Sequence, residues 1–209
     1  MKDKGVYYLA DVRQGSPDWH YMRKGRITMS NLGKIVGHAP YCNLTKEELG
    51  KVLTGKMKEE HSPEAIARMK KGNDYEPFVR DHLAKVLNTE IKETGFAIWK
   101  ADTRFGASLD GIIDDDTGIE IKCPAKMYAP IKEYMDNKNR KPDDYSHIWK
   151  SQMDQMVGNA VITGRKNMIF AVYAYEENKF FYQNIKINHS YWYDFLYPTA
   201  VDFFEKYMK

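Results

Sequence analysis

Three residues that can support metal chemistry fall within one predicted β-hairpin: Asp110, Glu120 and Lys122. Side chains alternate along a strand, so Glu120 and Lys122 share one face of the segment 119–122 and its two isoleucines share the other. The acidic turn at 114–118 folds the strand of Asp110 back beside that of Glu120. Two close carboxylates need a counter-ion, and hard oxygen ligands, including the carbonyl of Ile121, suit Mg²⁺ or Mn²⁺.

The Glu-x-Lys pair also has a plainer interpretation. Such a pair on a strand is commonly a solvated face, in which the lysine pairs with a nearby aspartate. The spacing favours metal chemistry instead, because Asp-Gly, a tight acidic turn and Glu-x-Lys follow one another in that order. This order is the PD-(D/E)XK nuclease pattern, with Leu109 in place of its proline.

Four ordered blocks extend the pattern over most of the chain, from about residue 14 to residue 181. They are Gln14–Ser30, with its Trp, Arg and Ile-Thr-x-Ser; Gly72–Glu76; Ser108–Gly111 with Glu120–Pro124; and Trp149–Gln155. Together they resemble the lambda-exonuclease and YqaJ family of viral recombinases. That family has a Tyr-x-x-Gln-x-Gln helix in the last block, and here both Gln152 and Gln155 remain candidates for its glutamine.

The resemblance implies a fold and a set of metal ligands. The fold is α/β, a central mixed β-sheet flanked by helices with a restriction-endonuclease-like core. Asp110 would anchor two divalent ions, Glu120 would hold one, and Glu76 would orient the second or its waters. Glu76 taken alone is equally an ordinary helix carboxylate. An ammonium at Lys122 would favour hydroxide and steer it in line with the scissile phosphorus.

The resemblance also implies a pocket for a 5′-terminal phosphate of duplex DNA. Its matching residues are Arg23, Ser30, Ser108 and one of Gln152 and Gln155. Guanidinium, hydroxyl and helix N-terminal N–H groups all bind phosphate oxygens. Thr28 is a further candidate, although its position favours a helix cap. Trp19 and His20 are expected in the core.

Composition limits the class of protein. With 209 residues and 43% apolar content, a single domain is expected, with a helical first third, a sheet core over about 90–187 and a C-terminal helix. Two cysteines are too few for a disulfide framework or a four-cysteine iron–sulfur cluster. No apolar run of about 18 residues or signal peptide is evident, so an intracellular, cytoplasmic location in a host cell and no membrane are expected.

Net charge is only +3, so the distribution of charge carries more information. Basic residues cluster near the proposed site blocks and predict a positive groove, or alternatively solvated faces: Lys122, Lys126 and Lys132; Lys138, Arg140 and Lys141; Arg165 and Lys166.

Turn and capping signals predict the elements. Helices are expected over 19–24, from Thr28 or Ser30 to Val36, after a Thr45–Glu48 capping box, over 63–71, over 77–87, over 147–162 and over 191–208. Phe78, Leu83, Val86 and Leu87 should face inward. Strands are expected over 96–99, 106–113, 119–121, 168–175 and 179–187.

The function implied by the resemblance is a Mg²⁺- or Mn²⁺-dependent exonuclease that degrades double-stranded DNA from a 5′ end. It would supply 3′ overhangs to a single-strand annealing protein, and it would form a homo-trimer around the duplex. Two alternatives are a structure- or site-specific endonuclease of the same fold and a non-catalytic DNA-end binding protein.

Overall fold

The computed structural model describes residues 1–209, whose strands form two mixed sheets. The first has the order β1-β2-β4-β5-β3 and contains β1 (Lys2–Asp3), β2 (Tyr7–Ala10), β3 (Ile27–Thr28), β4 (Phe96–Trp99) and β5 (Phe105–Ala107). The second has the order β6-β7-β8-β9 and contains β6 (Gly111–Ile112), β7 (Thr117–Lys122), β8 (Asn167–Ala174) and β9 (Lys179–Lys186). The β3–β5 and β7–β8 pairs are parallel and the other pairs are antiparallel.

Helices flank the sheets: α1 (Pro17–Arg23), α2 (Met29–Val36), α3 (Lys46–Leu53), α4 (Pro63–Leu87), α5 (Ala129–Asp136), α6 (Lys150–Thr163), α7 (His189–Tyr191) and α8 (Tyr197–Tyr207). A π-helical turn, Trp192–Leu196, joins α7 to α8. None of these helices combines the length and the apolar character needed to span a bilayer. The predicted α/β class is therefore observed, although the strands form two mixed sheets and not one central sheet.

Several helix ends form as the capping signals predict. Ser16 Oγ accepts the N–H of Trp19 at the start of α1, and Thr45 and Glu48 form a reciprocal capping box ahead of α3. At the end of α6, Gly164 adopts a left-handed conformation with φ of +70°, which a glycine tolerates without steric cost.

Strand β7 is enclosed between two helices, and this sandwich positions the site. Ile119 and Ile121 point to one side, where they pack with Val79 and Leu83 of α4. Glu120 points to the other side, toward α6. The alternation predicted for 119–122 is thus observed, but both faces of the strand are covered.

Helix α4 differs from its prediction. The expected helices over 63–71 and 77–87 are one 25-residue helix with Pro77 inside it. Packing of the inward face keeps the helix continuous, although Pro77 cannot donate an N–H to the preceding turn. The inward prediction was wrong for Phe78 and Val86, which are 52% and 46% exposed, because the buried face runs through Val79 and Leu83.

Three further differences lie in the strands and the connecting segments. The predicted strand over 106–113 is broken into β5 and β6, with 108–110 between them, so the chain passes from one sheet to the other at Asp110. Helix α5 and the short strands β1, β2 and β3 were not predicted. Predicted helix 147–162 begins three residues later than expected, at Lys150.

Candidate active site

Asp110 is fixed by the main chain of the neighbouring strand. Its N–H donates to the carbonyl of Ile119 at 3.1 Å, and its Oδ2 accepts the N–H of Ile121 at 2.7 Å. Arg80 Nε donates to the Asp110 carbonyl at 2.8 Å. Because the strand breaks at this residue, the carboxylate turns toward β7 and is only 8% exposed.

Glu120 lies at the centre of a polar network under α6 and is 1% exposed. Its Oε1 accepts hydrogen bonds from Lys122 Nζ at 2.7 Å and Gln155 Nε2 at 2.6 Å, and its Oε2 accepts one from Asn159 Nδ2 at 3.1 Å. The solvated-face interpretation is therefore wrong, because α6 covers this face and Lys122 pairs with Glu120 rather than with an aspartate.

Glu76 joins this group from α4 and lines the same cavity as Asp110 and Glu120. Burial raises the pKa of Glu76 well above its usual range, and the Asp110 charge adds to the effect. Burial also raises the pKa of Glu120, against the opposing charge of Lys122. Both carboxyl groups therefore bind protons more tightly than usual, and a bound cation would offset the same repulsion.

Lys122 is held in its ammonium form. Burial alone would lower the pKa of its amine, but the Glu120 and Asp110 charges raise that pKa above its usual range. Its Nζ also donates to Gln155 Oε1 at 3.2 Å. A protonated lysine beside the carboxylates can stabilise or steer an anion, but it does not itself take up a proton.

The donor chemistry of the site fits a hard divalent cation. Carboxyl oxygens are hard ligands, and Glu76, Asp110 and Glu120 line one cavity together with Ile121. The side chains are not gathered around a single point, since no three of the His, Cys, Asp and Glu side chains form a group that could hold a metal ion. Both Glu120 oxygens are engaged by Lys122 and α6.

Arg23 lines the same cavity and has no carboxylate partner among its hydrogen bonds. Its Nη2 donates to Ser30 Oγ at 2.8 Å and Thr28 Oγ1 at 3.2 Å, and its guanidinium lies 4.1 Å from the centre of the Trp19 ring. Burial lowers the pKa of Arg23 to about 10. A desolvated guanidinium that contacts only hydroxyls and a ring is suited to an anion.

The hydroxyl residues near Arg23 have different surroundings. Ser30 is exposed and lines the cavity, whereas Thr28 is buried behind it and accepts a hydrogen bond from Asn31 Nδ2. Thr28 occupies the cap position of α2, but its side chain makes no capping hydrogen bond because its oxygen faces Arg23 and Asn31.

Ser108 also lines the cavity, and its Oγ accepts the indole N–H of Trp19 at 2.8 Å. The expectation of a core position is met in part by Trp19 and was wrong for His20. Trp19 is half-buried, packs against the small cluster of Ala10, Phe96 and Ile98, and also lines the cavity beside Arg23. His20 is exposed.

The two candidate glutamines occupy different places. Gln155 bridges Glu120 and Lys122, while Gln152 lies one turn earlier on α6, is 7% exposed, and faces a smaller chamber. Neither contacts Arg23. Of the candidates, Gln155 lines the main cavity and Gln152 does not.

Sequence reasoning missed two polar side chains that support the site, Asn159 and Arg80. Asn159 follows Gln155 by four positions on α6, and Arg80 follows Glu76 by four positions on α4. Helical periodicity places such pairs on one face, so this spacing was available as a signal.

One predicted basic group is not part of a positive groove. Arg165 is buried, and it donates to the carbonyls of Thr163 and Asp114, which braces the hairpin turn. Lys166 pairs with Asp116 on the same turn.

A single cavity of 700 Å³ connects these parts. Its lining includes Arg23, Trp19, Ser30 and Ser108, the carboxyl groups of Glu76, Asp110 and Glu120, and Lys122 with Gln155 and Tyr128. The cavity therefore presents a guanidinium without a carboxylate partner together with an acid–ammonium cluster. The guanidinium suits a phosphate directly, and the carboxyl groups would suit one through bound cations.

Comparison with known proteins agrees with this architecture. The model of the YqaJ-like viral recombinase domain matches residues 18–166. An alkaline exonuclease (LHK-Exo) from Laribacter hongkongensis superposes with a TM-score of 0.69 at 19% identity, over 91% of this chain and 92% of that one. Its complex with dAMP gives 0.71 at 20% identity, over the same shares of the two chains.

A phage-related exonuclease from Haemophilus somnus 129PT gives a TM-score of 0.60 at 16% identity, over 90% of this chain and 96% of that one. At these identities the likeness shows a common fold, and it confirms the predicted fold class. Among curated proteins, none matches the chain significantly.

Proposed function

Because the chain belongs to the family of YqaJ-like viral recombinase domains, we propose that it is a metal-dependent exonuclease. It degrades linear double-stranded DNA in the 5′-to-3′ direction and leaves 3′ single-stranded overhangs. The structural relatives named as exonucleases support the hydrolytic part of this proposal. The direction of degradation rests on the pocket around Arg23.

The observation that carries the proposal is the arrangement of the 700 Å³ cavity. Arg23, Ser30 and Ser108 bind the 5′-terminal phosphate, with Thr28 accepting a hydrogen bond from the guanidinium. The next phosphodiester along the strand then lies toward Asp110 and Lys122, which line the same cavity. A terminal phosphate held beside the catalytic cluster describes an enzyme that removes nucleotides from a 5′ end.

The catalytic residues are Asp110, Glu120, Lys122 and Glu76. Asp110, Glu120 and the Ile121 carbonyl would hold Mg²⁺, with Mn²⁺ as a substitute, and Glu76 would position a second ion or its waters. Such ions would stabilise charge on the attacking and leaving oxygens of a phosphodiester. As a ligand, Glu120 would give up at least one of the hydrogen bonds that it receives from Lys122, Gln155 and Asn159.

Lys122 orients the attacking water and favours its deprotonated form through the charge of its ammonium group. Gln155 keeps the Lys122 side chain near Glu120 by bonding to both. Asp110 stays in place through its hydrogen bond to Ile121 N.

The proposal also covers one partner and an assembly state. A single-strand annealing protein receives the 3′ overhang, and three copies of this chain form a ring around the duplex. Both parts follow from the family resemblance.

The substrate range tests the proposal with three DNAs in Mg²⁺: a linear duplex with 5′-phosphates, the same duplex with 5′-hydroxyls, and a covalently closed circle. We expect rapid loss of nucleotides from the phosphorylated duplex, slower loss from the hydroxyl form and no cutting of the circle. Cutting of the circle would support a structure- or site-specific endonuclease instead. Binding of linear ends without cleavage of any DNA would support a non-catalytic end-binding protein.

A further inference from the structure

A side chamber of 290 Å³ opens beside the proposed active site. It shares Ser30, Lys122, Tyr128 and Gln155 with the 700 Å³ cavity, and it extends from them between α2 and the start of α6. Ser30 belongs to the Arg23 pocket and Lys122 to the acidic cluster. The chamber therefore borders the space between the two proposed phosphate positions.

Aromatic side chains form the wall of this chamber. The rings of Tyr128 and Trp149 lie 4.5 Å apart at 34° to each other, and Tyr41 lines the same chamber. Trp149 is 42% exposed although it is the largest apolar side chain of the segment. Tyr128 and Trp149 occupy the cap positions of α5 and α6, so the helix starts fix where their rings lie. An open, fixed aromatic surface is suited to stacking with a planar ring.

Gln152 supplies a polar group to the same chamber. Its side chain is buried, yet its Oε1 has no hydrogen-bond partner. A buried amide oxygen without a partner costs free energy, and a donor N–H from a ligand offsets that cost. A phosphate group offers oxygens that accept, so it does not satisfy this atom. A planar ring with N–H groups at its edge does.

We propose that this chamber is a binding site for the nucleobase of the 5′-terminal nucleotide, with Trp149 and Tyr128 stacking on the base and Gln152 bonding to its edge. This inference rests on the proposed function, because it takes the phosphates on either side of that nucleotide to lie near Ser30 and Lys122. It assigns to Trp149, Tyr128 and Gln152 the role of positioning the nucleotide to be removed.

A binding cycle tests the proposal without cleavage. DNA hairpins with one 5′-phosphorylated end carry either a normal or an abasic 5′-terminal nucleotide, and dissociation constants are measured by fluorescence anisotropy in EDTA. Stacking of a base on an aromatic side chain is strong enough that removing the base should weaken wild-type binding about tenfold. In Trp149→Ala the two hairpins should bind almost equally.

Two further variants control the cycle. Tyr193→Ala removes a comparably exposed aromatic side chain, 56% exposed on the π-helical turn, and should keep the wild-type difference between the hairpins. Gln152→Leu removes the amide at similar volume and should reduce that difference. Equal effects of base removal in wild type and Trp149→Ala, or no effect in either, would overturn the chamber assignment.

Parallel digestion in Mg²⁺ separates this inference from the proposed function. Degradation of both hairpins from the 5′ end, without any difference in binding, leaves the exonuclease standing and overturns the chamber. The predicted binding difference without release of nucleotides supports the chamber and overturns the exonuclease. Failure of the wild type to bind either hairpin, together with failure to digest them in Mg²⁺, overturns both.

Discussion

Lys122 and Glu120 form an ion pair within the proposed catalytic cluster, and Lys122→Ala removes the ammonium group of that pair. The rate of DNA cleavage should fall about 10²- to 10³-fold, the range for loss of one group that stabilises developing charge. DNA binding should persist because the Arg23 pocket is intact. Single-turnover digestion gives the rate, and anisotropy gives the affinity.

Lys166→Ala is the matched control for that variant. Lys166 pairs with Asp116 at an exposed turn. The Lys166→Ala protein should cleave DNA at the wild-type rate. If Lys122→Ala also cleaves at the wild-type rate, its assigned role is wrong.

Arg23→Ala tests the phosphate pocket through the substrate. A hydrogen bond to a charged group contributes about 1.5–3 kcal/mol, so loss of Arg23 should slow digestion of 5′-phosphorylated duplex about 10- to 100-fold. Digestion of 5′-hydroxyl duplex should change little, because it has no terminal phosphate to lose. Initial rates on the two DNAs measure this, and an equal loss on both would contradict the assignment.

The raised pKa of Glu76 predicts how metal-free protein responds to pH. A carboxyl whose folded-state pKa is raised binds more protons when folded than when unfolded, so its contribution to stability is lost as pH rises above the ordinary value of 4.5. In EDTA, Tm should therefore fall with rising pH, and Glu76→Gln should flatten that dependence. Differential scanning calorimetry across pH 4 to 9 measures it, and identical profiles for the two proteins would count against the Glu76–Asp110 pair.

At the scale of elements, the helix pair α2–α6 holds the phosphate pocket and the glutamines together. Gly33 of α2 lies so close to Ser151 of α6 that an added Cβ would come within 2.6 Å of its Cβ and 2.9 Å of its Cα. Gly33→Ala should therefore destabilise the protein by about 1–3 kcal/mol through overpacking. Urea denaturation gives the free energy of unfolding.

Gly72→Ala provides the comparison within α4. A Cβ there meets only the carbonyl of Cys123 at 3.5 Å, an ordinary contact. Alanine should be neutral or stabilise α4 by up to about 1 kcal/mol, since glycine is the poorer helix former. If both glycine variants behave alike, close packing of α2 on α6 is not what sets the stability.

Local sequence patterns predict where the helices and strands of this fold lie. They predict less well which other elements cover them. Alternation over 119–122 is enough to place Glu120 and Lys122 on one face of β7. It does not reveal that α6 covers that face, because the contact between Glu120 and Asn159 joins residues far apart in sequence. Caps such as Ser16 and the Thr45–Glu48 box depend on neighbouring residues only, and they are found where they were predicted.

The errors have the same origin. Phe78 and Val86 are apolar, and their residue type suggests a place in the core. The orientation of α4 against β7 instead buries Val79 and Leu83. The side chamber was also beyond sequence reasoning, since Tyr41, Tyr128 and Trp149 come from three separate segments.

At the scale of the whole molecule, the assembly follows from the family resemblance. We predict a homo-trimer with a mass of about three times 24.4 kDa. Analytical ultracentrifugation at micromolar concentration, with and without duplex DNA, measures the mass. A monomer under both conditions would remove the ring as an explanation for any processive digestion.

The order in which labelled nucleotides leave a duplex tests most directly whether the protein digests DNA from the 5′ end. A blunt duplex carries one label on its 5′-terminal nucleotide and another on its 3′-terminal nucleotide, and samples are taken during digestion in Mg²⁺. We predict that the 5′ label appears first, as a mononucleotide, while the 3′ label stays in long single strands. Earlier release of the 3′ label would contradict 5′-to-3′ digestion.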